Sequence, residues 1–282
     1  MLLAILEELR PKQWIKNLLI FVPLVFANEF LNLGLLGNVA ATFAAFCLAS
    51  SSVYVLNDIV DRESDRKHPQ KKSRPIASGK LPVGLAVLIA LLFFLGSALI
   101  AWSLSPQVLN VLVMFVLLQI GYSLFLKHFV IVDLLAIALG FILRIVAGGA
   151  AASVELSGWL LAITFLLALL LASGKRLREI ETAGKVSRKV LENYPPEFLQ
   201  STIKILLPAI LISYLFYSFQ ATAAPRFFWT VPIVTFGLLR YLLLIERKSA
   251  HENPTDLLFE DRPLLVSVTL WALSVIAILY FA

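Results

Sequence analysis

Long uninterrupted apolar blocks constrain this chain more than any other feature of its sequence. A bilayer core about 30 Å thick takes about 20 apolar residues per α-helical crossing. Blocks of that length stand near 15–34, 38–57, 82–103, 106–126, 130–152, 157–174, 200–222, 227–246 and 263–282. The chain is 60% hydrophobic and only 15% charged, where soluble domains hold about 25% charged residues. The expected fold is all-α and integral to a membrane: nine transmembrane helices forming one domain over 1–282. The first block is too long for the apolar region of a cleavable signal and reads as a retained first span. Pro23, Pro208 and Pro232 fall within these blocks and are expected to kink them, a fault that neighbouring helices repair in membranes. With one cysteine, Cys47, and histidines scattered at His68, His128 and His251, neither an internal disulfide nor a Cys/His metal site is available.

The cations are distributed unevenly. Arg10, Lys12 and Lys16 come before or early in the first span, and Arg62, Arg66, Lys67, Lys71, Lys72, Arg74 and Lys80 follow the second. Lys127 follows the fourth, Lys175, Arg176, Arg178, Lys185, Arg188 and Lys189 the sixth, and Arg247, Lys248 and Arg262 the eighth. The opposite loops hold only Arg226. Lysine and arginine collect on the cytoplasmic side, so the N-terminus and every long polar loop are expected there, in a multi-pass protein of the cell (inner) membrane. The net charge of +6 then attracts anionic headgroups and phosphate substrates rather than nucleic acid.

Acidic residues concentrate after the second span, in Asn57-Asp58-Ile59-Val60-Asp61-Arg62-Glu63-Ser64-Asp65. If the helix continues, Asp58, Asp61 and Asp65 fall within an arc of about 60° on one face. Carboxylates so placed repel one another unless a cation joins them, and a hard divalent ion such as Mg²⁺ suits oxygen ligands shared with substrate phosphates. A solvated helix end with mixed charges accounts for the spacing equally well. Downstream, Lys71-Lys72-Ser73-Arg74 forms a basic stretch able to close on a phosphate, or simply marks the cytoplasmic side.

These residues also carry a resemblance. Asn57-Asp58-x-x-Asp61-x-x-x-Asp65 resembles the first aspartate motif of the UbiA-type polyprenyl transferases, nine-helix membrane proteins with this loop on the cytoplasmic side. Arg10-Pro11-Lys12-Gln13-Trp14-Ile15-Lys16-Asn17 is similar to the N-terminal signature of one subgroup, the decaprenyl-phosphate phosphoribosyltransferases. So are Asp65-Arg66-Lys67-His68-Pro69, Arg74-Pro75-Ile76-Ala77-Ser78-Gly79, Tyr122 to Lys127 with Asp133, Gly140 to Arg144 with Gly148-Gly149, and Gly174-Lys175-Arg176. Relatives that use isoprenyl diphosphates carry a second aspartate motif after the sixth span. Here that place reads Gly174-Lys175-Arg176-Leu177-Arg178-Glu179, cationic first.

The resemblance implies transfer of 5-phosphoribose from phosphoribosyl diphosphate to a polyprenyl phosphate, with release of pyrophosphate. It gives Asp58 and Asp61 the central catalytic part, with Asn57, Asp58, Asp61 and Asp65 toward Mg²⁺. Gln13, Lys16, Asn17, Arg62, Arg66, Lys72, Arg74, Tyr122, Lys127, Asp133, Arg144, Lys175 and Arg176 are the substrate-binding candidates. Arg178 and Lys185 read as solvated loop charges. The implied partners are the two phosphate substrates and membrane lipids, with room left for a homo-oligomer. Two other readings stand beside this one. A prenyltransferase acting on an aromatic acceptor is disfavoured by the missing second acidic motif. A transporter would place its polar groups near the membrane midplane.

Overall fold

The computed structural model describes residues 1–68, 71–182, 190, 193–220, 226–247 and 254–281. Lys185, Arg188, Lys189, Lys248, His251 and Pro69 lie outside them. The described residues form helices and connecting turns, with no strand. The chain divides into two compact units, Met1–Leu126 with Leu143–Glu155, and Lys127–Ile142 with Leu156–Ala282.

The first unit begins with a short surface helix α1 (Leu2–Leu9), ended by Arg10 in the left-handed conformation at φ 51°. A 3-10 helix (Pro11–Phe21) runs on into α2 (Val22–Phe26). The block at 15–34 is therefore not one long α-helix. Pro11 and Pro23 supply no N–H to an α ladder, and Asn28 at φ 60° turns the chain before α3. At rises of ~2.0 Å and ~1.5 Å per residue the two pieces together still cover about 30 Å. Next come α3 (Leu33–Val60), α4 (Arg62–Lys67), α5 (Val83–Leu104) and α6 (Pro106–Leu124). Asn32 starts α3 by accepting the Leu35 N–H, and Ser105 starts α6 by accepting that of Val108, as N-cap residues do.

A run of small buried residues, Ala49 to Ser52, lets neighbours approach α3 closely. Trp14 Nε1 donates to Ser51 Oγ at 3.0 Å, and Ser51 Oγ donates in turn to the Leu9 carbonyl at 2.8 Å. Ser52 Oγ donates to the Ala90 carbonyl of α5 at 2.8 Å. Ile20, Leu24, Phe46, Leu112, Phe115 and Ala147 form the main core. A second cluster of Leu9, Val55, Ile76, Leu81 and Ala86 pins α1 and the loop after α4 onto the ends of α3 and α5.

Gly148 marks the tightest contact of this unit: a Cβ there would stand 2.0 Å from the Ile20 carbonyl oxygen. Gly148→Ala is therefore expected to destabilise the protein by about 1–3 kcal/mol, since backbone must move. Gly84→Ala, with nothing within 4 Å of its Cβ, should be close to neutral. Thermal unfolding of both variants in detergent checks the contrast, and equal midpoints would refute it.

In the second unit, the start of α7 (Val132–Ala152) joins α8 (Gly158–Thr182), α9 (Pro196–Gln220), α10 (Val231–Glu246), α11 (Pro254–Glu260) and α12 (Arg262–Phe281). Leu170, Leu199, Ile203, Ile210, Tyr241 and Leu244 lie in its core. Pro23 and Pro232 occupy first turns, where a proline costs no hydrogen bond, while α9 continues through Pro208. Arg240 holds Asp261 at 3.0 and 2.7 Å, and Asp261 accepts the Leu264 N–H at the head of α12. That guanidinium keeps the Asp261 carboxyl below its usual range.

Eight helices among the described residues are long and apolar enough to cross a bilayer. Leu88, Leu91, Leu92, Leu95 and Leu99 of α5 point outward, an apolar stripe that belongs in lipid rather than in water.

Candidate active site

Helix α3 carries Asn57 and Asp58 on its last turn, and Asp61 separates it from α4, which brings in Asp65. The Asp61 N–H donates to the Asn57 carbonyl at 2.8 Å. The helix nearly continues through the loop, and Asp58 and Asp65 are both buried while Asp61 is half-buried. Arg74 Nη1 donates to Asp58 Oδ1 at 3.0 Å and to Asp65 Oδ2 at 2.7 Å. Two carboxylates from successive helices thus share one positive charge. Arg10 binds the other oxygen of Asp58 and stacks over Tyr54 at 5.2 Å. Asn57 Nδ2 lies 3.4 Å from Asp58 Oδ1.

Among the described residues no three acidic, histidine or cysteine side chains converge closely enough to hold a metal by themselves. A pair of carboxylates meeting at one cation position does fit Mg²⁺, which takes one or two from the protein and completes its shell with water and substrate phosphate.

The surroundings are built to hold this arrangement. Arg66 Nε donates to the Ala77 carbonyl at 3.0 Å and its Nη1 to Glu63 at 3.0 Å, which ties α4 to the Arg74–Gly79 loop. These contacts give Arg66 a structural part. Arg62 is half-buried and its Nε has no acceptor, so a donor remains for an anion. Lys72 is exposed, and Gln13 and Lys16 are half-buried on the 3-10 helix. Glu8 is buried beside Asp58, and its carboxyl is pushed up to about 8 by burial first and by Asp58 second. Arg10 and Glu8 are absent from the sequence-based site. Arg10 had a signal, its place at the head of the octad; Glu8 had none.

Asn17 and Arg144 belong elsewhere. Both are buried, Arg144 Nε donates to Asn17 Oδ1 at 2.7 Å, and Asn17 Nδ2 donates to Cys47 Sγ at 3.3 Å. The Arg144 guanidinium also lies 4.6 Å from the Phe115 ring centre. Cys47 is eleven residues before Asp58 on α3, about 16 Å away along the axis. The structure thus brings these two together deep in the first unit and apart from the aspartates. Tyr122 is half-buried near the end of α6.

In the second unit Asp133 is fully buried in the first turn of α7. It accepts from Arg176 Nε at 2.7 Å and from the Tyr194 hydroxyl at 2.5 Å, and Arg176 also pairs with Glu179. The Tyr194 oxygen accepts the Ile131 N–H at 2.5 Å. Burial, then the bond to Asp133, raises the Tyr194 pKa, so it remains a donor. Arg176 is 1% exposed and held between two acids, which suits a strut better than an anion clamp. Arg178, read from sequence as solvated, is buried and bonded to Glu181 at 2.6 Å. Lys175 is about a third exposed and 3.8 Å from Glu179. Lys127 is half-buried in a short 3-10 turn. A Cβ on Gly174 would stand 2.2 Å from the Tyr241 hydroxyl, so close packing of α8 on α10 requires glycine there.

A sequence model of the UbiA prenyltransferase family matches residues 18–259. The chain belongs to that family. This UbiA-family protein is 34% identical to a decaprenyl-phosphate phosphoribosyltransferase of Corynebacterium glutamicum, over 98% of this chain and 87% of the relative. It is 33% identical to that of Mycolicibacterium smegmatis, over 99% and 93%. Among solved structures it is similar to a UbiA homologue from Archaeoglobus fulgidus bound to GPP and Mg²⁺. That match has a TM-score of 0.76 at 20% identity, covering 98% of this chain and 99% of the other. It is an integral, multi-pass membrane enzyme of the UbiA fold.

Proposed function

We propose that this protein transfers 5-phosphoribose from phosphoribosyl diphosphate to a polyprenyl phosphate of the decaprenyl type, releasing pyrophosphate. The likeness to phosphoribosyltransferases, about one third identical along nearly the whole chain, carries this reading. The convergence of Asp58 and Asp65 on one cation position supports the diphosphate half of it.

Asp58 and Asp65, with Asp61 and Asn57 beside them, are the residues that would hold Mg²⁺, which when bound neutralises charge on the leaving diphosphate. Arg10 and Arg74 occupy those carboxylates and, being about a quarter exposed, can pass to phosphate oxygens when the donor arrives. Both guanidiniums are geometrically suited to that exchange, since arginine presents a planar fork to phosphate as readily as to carboxylate. Arg62 adds a buried donor without an acceptor. The acceptor phosphate is already anionic near neutral pH, so the reaction calls for no strong base. What the chain supplies is positioning and charge stabilisation around an oxocarbenium-like C1. Lys175 is a further anion-binding candidate of the second unit.

The whole of 1–282 is read as one transferase domain in the cell's inner membrane, surrounded by lipid. The lysine and arginine bias places the aspartate loop on the cytoplasmic side. Phosphoribosyl diphosphate is too highly charged to cross a bilayer unaided. Inside-out membrane vesicles given this donor and polyprenyl phosphate should therefore form phosphoribosylated lipid and pyrophosphate, and sealed right-side-out vesicles should not. Consumption of an isoprenyl diphosphate in its place, with phosphoribosyl diphosphate ignored, would overturn the substrate reading. Equal turnover in right-side-out vesicles would overturn the orientation.

A further inference from the structure

Glu8 is the one acidic side chain of α1 that faces inward, and it does so on an otherwise apolar face. Its neighbour Leu9 packs with Val55, Ile76 and Leu81, and Ile5 lies against the same cluster. Glu8 is 2% exposed, and neither carboxyl oxygen completes a hydrogen bond. The groups acting on it are the Asp58 carboxylate, the Arg10 guanidinium and the Ile76 backbone. Buried polar groups are nearly always satisfied, and an unpaired buried carboxylate is among the least favourable groups a fold can carry.

Loose placement does not explain this position. Ser51 Oγ bonds the Leu9 carbonyl, Trp14 bonds Ser51, and Arg10 is held on Tyr54 and Asp58. The carboxyl is therefore carried into the aspartate cluster by a well-anchored turn. Charge completes the argument. Two guanidiniums, Arg10 and Arg74, meet three buried carboxyl groups, Glu8, Asp58 and Asp65. The cluster is one positive charge short when all three are ionised. An all-oxygen set of this kind selects a hard divalent ion such as Mg²⁺ or Mn²⁺.

We propose that Glu8 supplies a third carboxylate to a divalent-cation site built with Asp58 and Asp65. This rests on the metal role given above to the aspartate loop. It makes the N-terminal surface helix part of the metal site.

The test measures Mn²⁺ binding to the purified full-length protein in detergent, by paramagnetic resonance of free Mn²⁺, with inorganic pyrophosphate present in every sample. Glu8→Gln keeps the shape of the side chain and is expected to weaken Mn²⁺ binding at least about tenfold. Glu8→Asp, which keeps the charge on a shorter stem, should fall between it and the unsubstituted protein. It also serves should Glu8→Gln fail to insert. Glu7→Gln, on the exposed side of the same helix, should bind as the unsubstituted protein does. If both Glu8 variants bind normally while Asp58→Asn does not, the inference is overturned and the aspartate site stands. If Asp58→Asn also binds normally, the metal reading of the whole cluster falls with it.

Discussion

Asp58→Ala is expected to lower phosphoribosyl transfer on the order of a thousandfold, about 4 kcal/mol in the barrier, while the protein still inserts and folds. Asp58 is the residue on which the site converges, buried and touched by Arg10, Arg74 and Asn57. Its loss removes a carboxylate from the cation position and the anchor of both guanidiniums. The stability penalty should stay on the order of 1 kcal/mol, because Arg10 and Arg74 are each about a quarter exposed and can turn to water. Pyrophosphate release, with the unfolding midpoint measured on the same sample, separates the two effects. Activity above a tenth of normal, or full activity in EDTA, would remove Asp58 from the centre of the mechanism.

Arg176→Ala should behave in the opposite way, as a folding defect. The guanidinium is 1% exposed and bonded to a fully buried Asp133, so its removal leaves a carboxylate in the interior with only Tyr194 as side-chain donor among its described bonds. Breaking a buried pair from one side costs about 3–5 kcal/mol. The double variant Asp133→Ala with Arg176→Ala should be less destabilised than the sum of the singles, because no unpaired charge remains. Lys175→Ala, from a position a third exposed, should leave the midpoint nearly unchanged. If it weakens donor use while Arg176→Ala only unfolds the protein, the anion-binding role in this element rests with Lys175. An Arg176→Ala protein of normal midpoint and selectively weakened donor use would restore the clamp reading.

Most of the helical frame was legible because apolar length reports a helix within lipid and little else can form there. The expected spans 82–103 and 106–126 became Val83–Leu104 and Pro106–Leu124, with proline or serine at their heads setting the ends. The failure at 15–34 came from backbone chemistry that hydropathy does not register: prolines at both ends and a turn at Asn28. Asp58, Asp61 and Asp65 were visible as local spacing. Arg10, 48 residues from Asp58, reaches it only through the packing of α1 and the 3-10 helix on α3. Arg176 and Arg178 looked alike in sequence to Lys185, since positive charge does not reveal whether an acid from another helix meets it.

The 3-10 helix has a consequence for how its segment can vary. Three residues of it advance about 6 Å, the same as four residues of an α-helix. Trp14 meets Ser51 and Asn17 meets Cys47, and further along the ring of Phe21 lies 5.6 Å from that of Phe43. The partners on α3 step by four while the first two on the 3-10 side step by three. The two rods therefore have commensurate teeth and can run antiparallel without drifting out of mesh. One inserted residue would swing everything beyond it about 120° away from α3, whereas three would advance it by one tooth on the same face. This segment can change length only in threes.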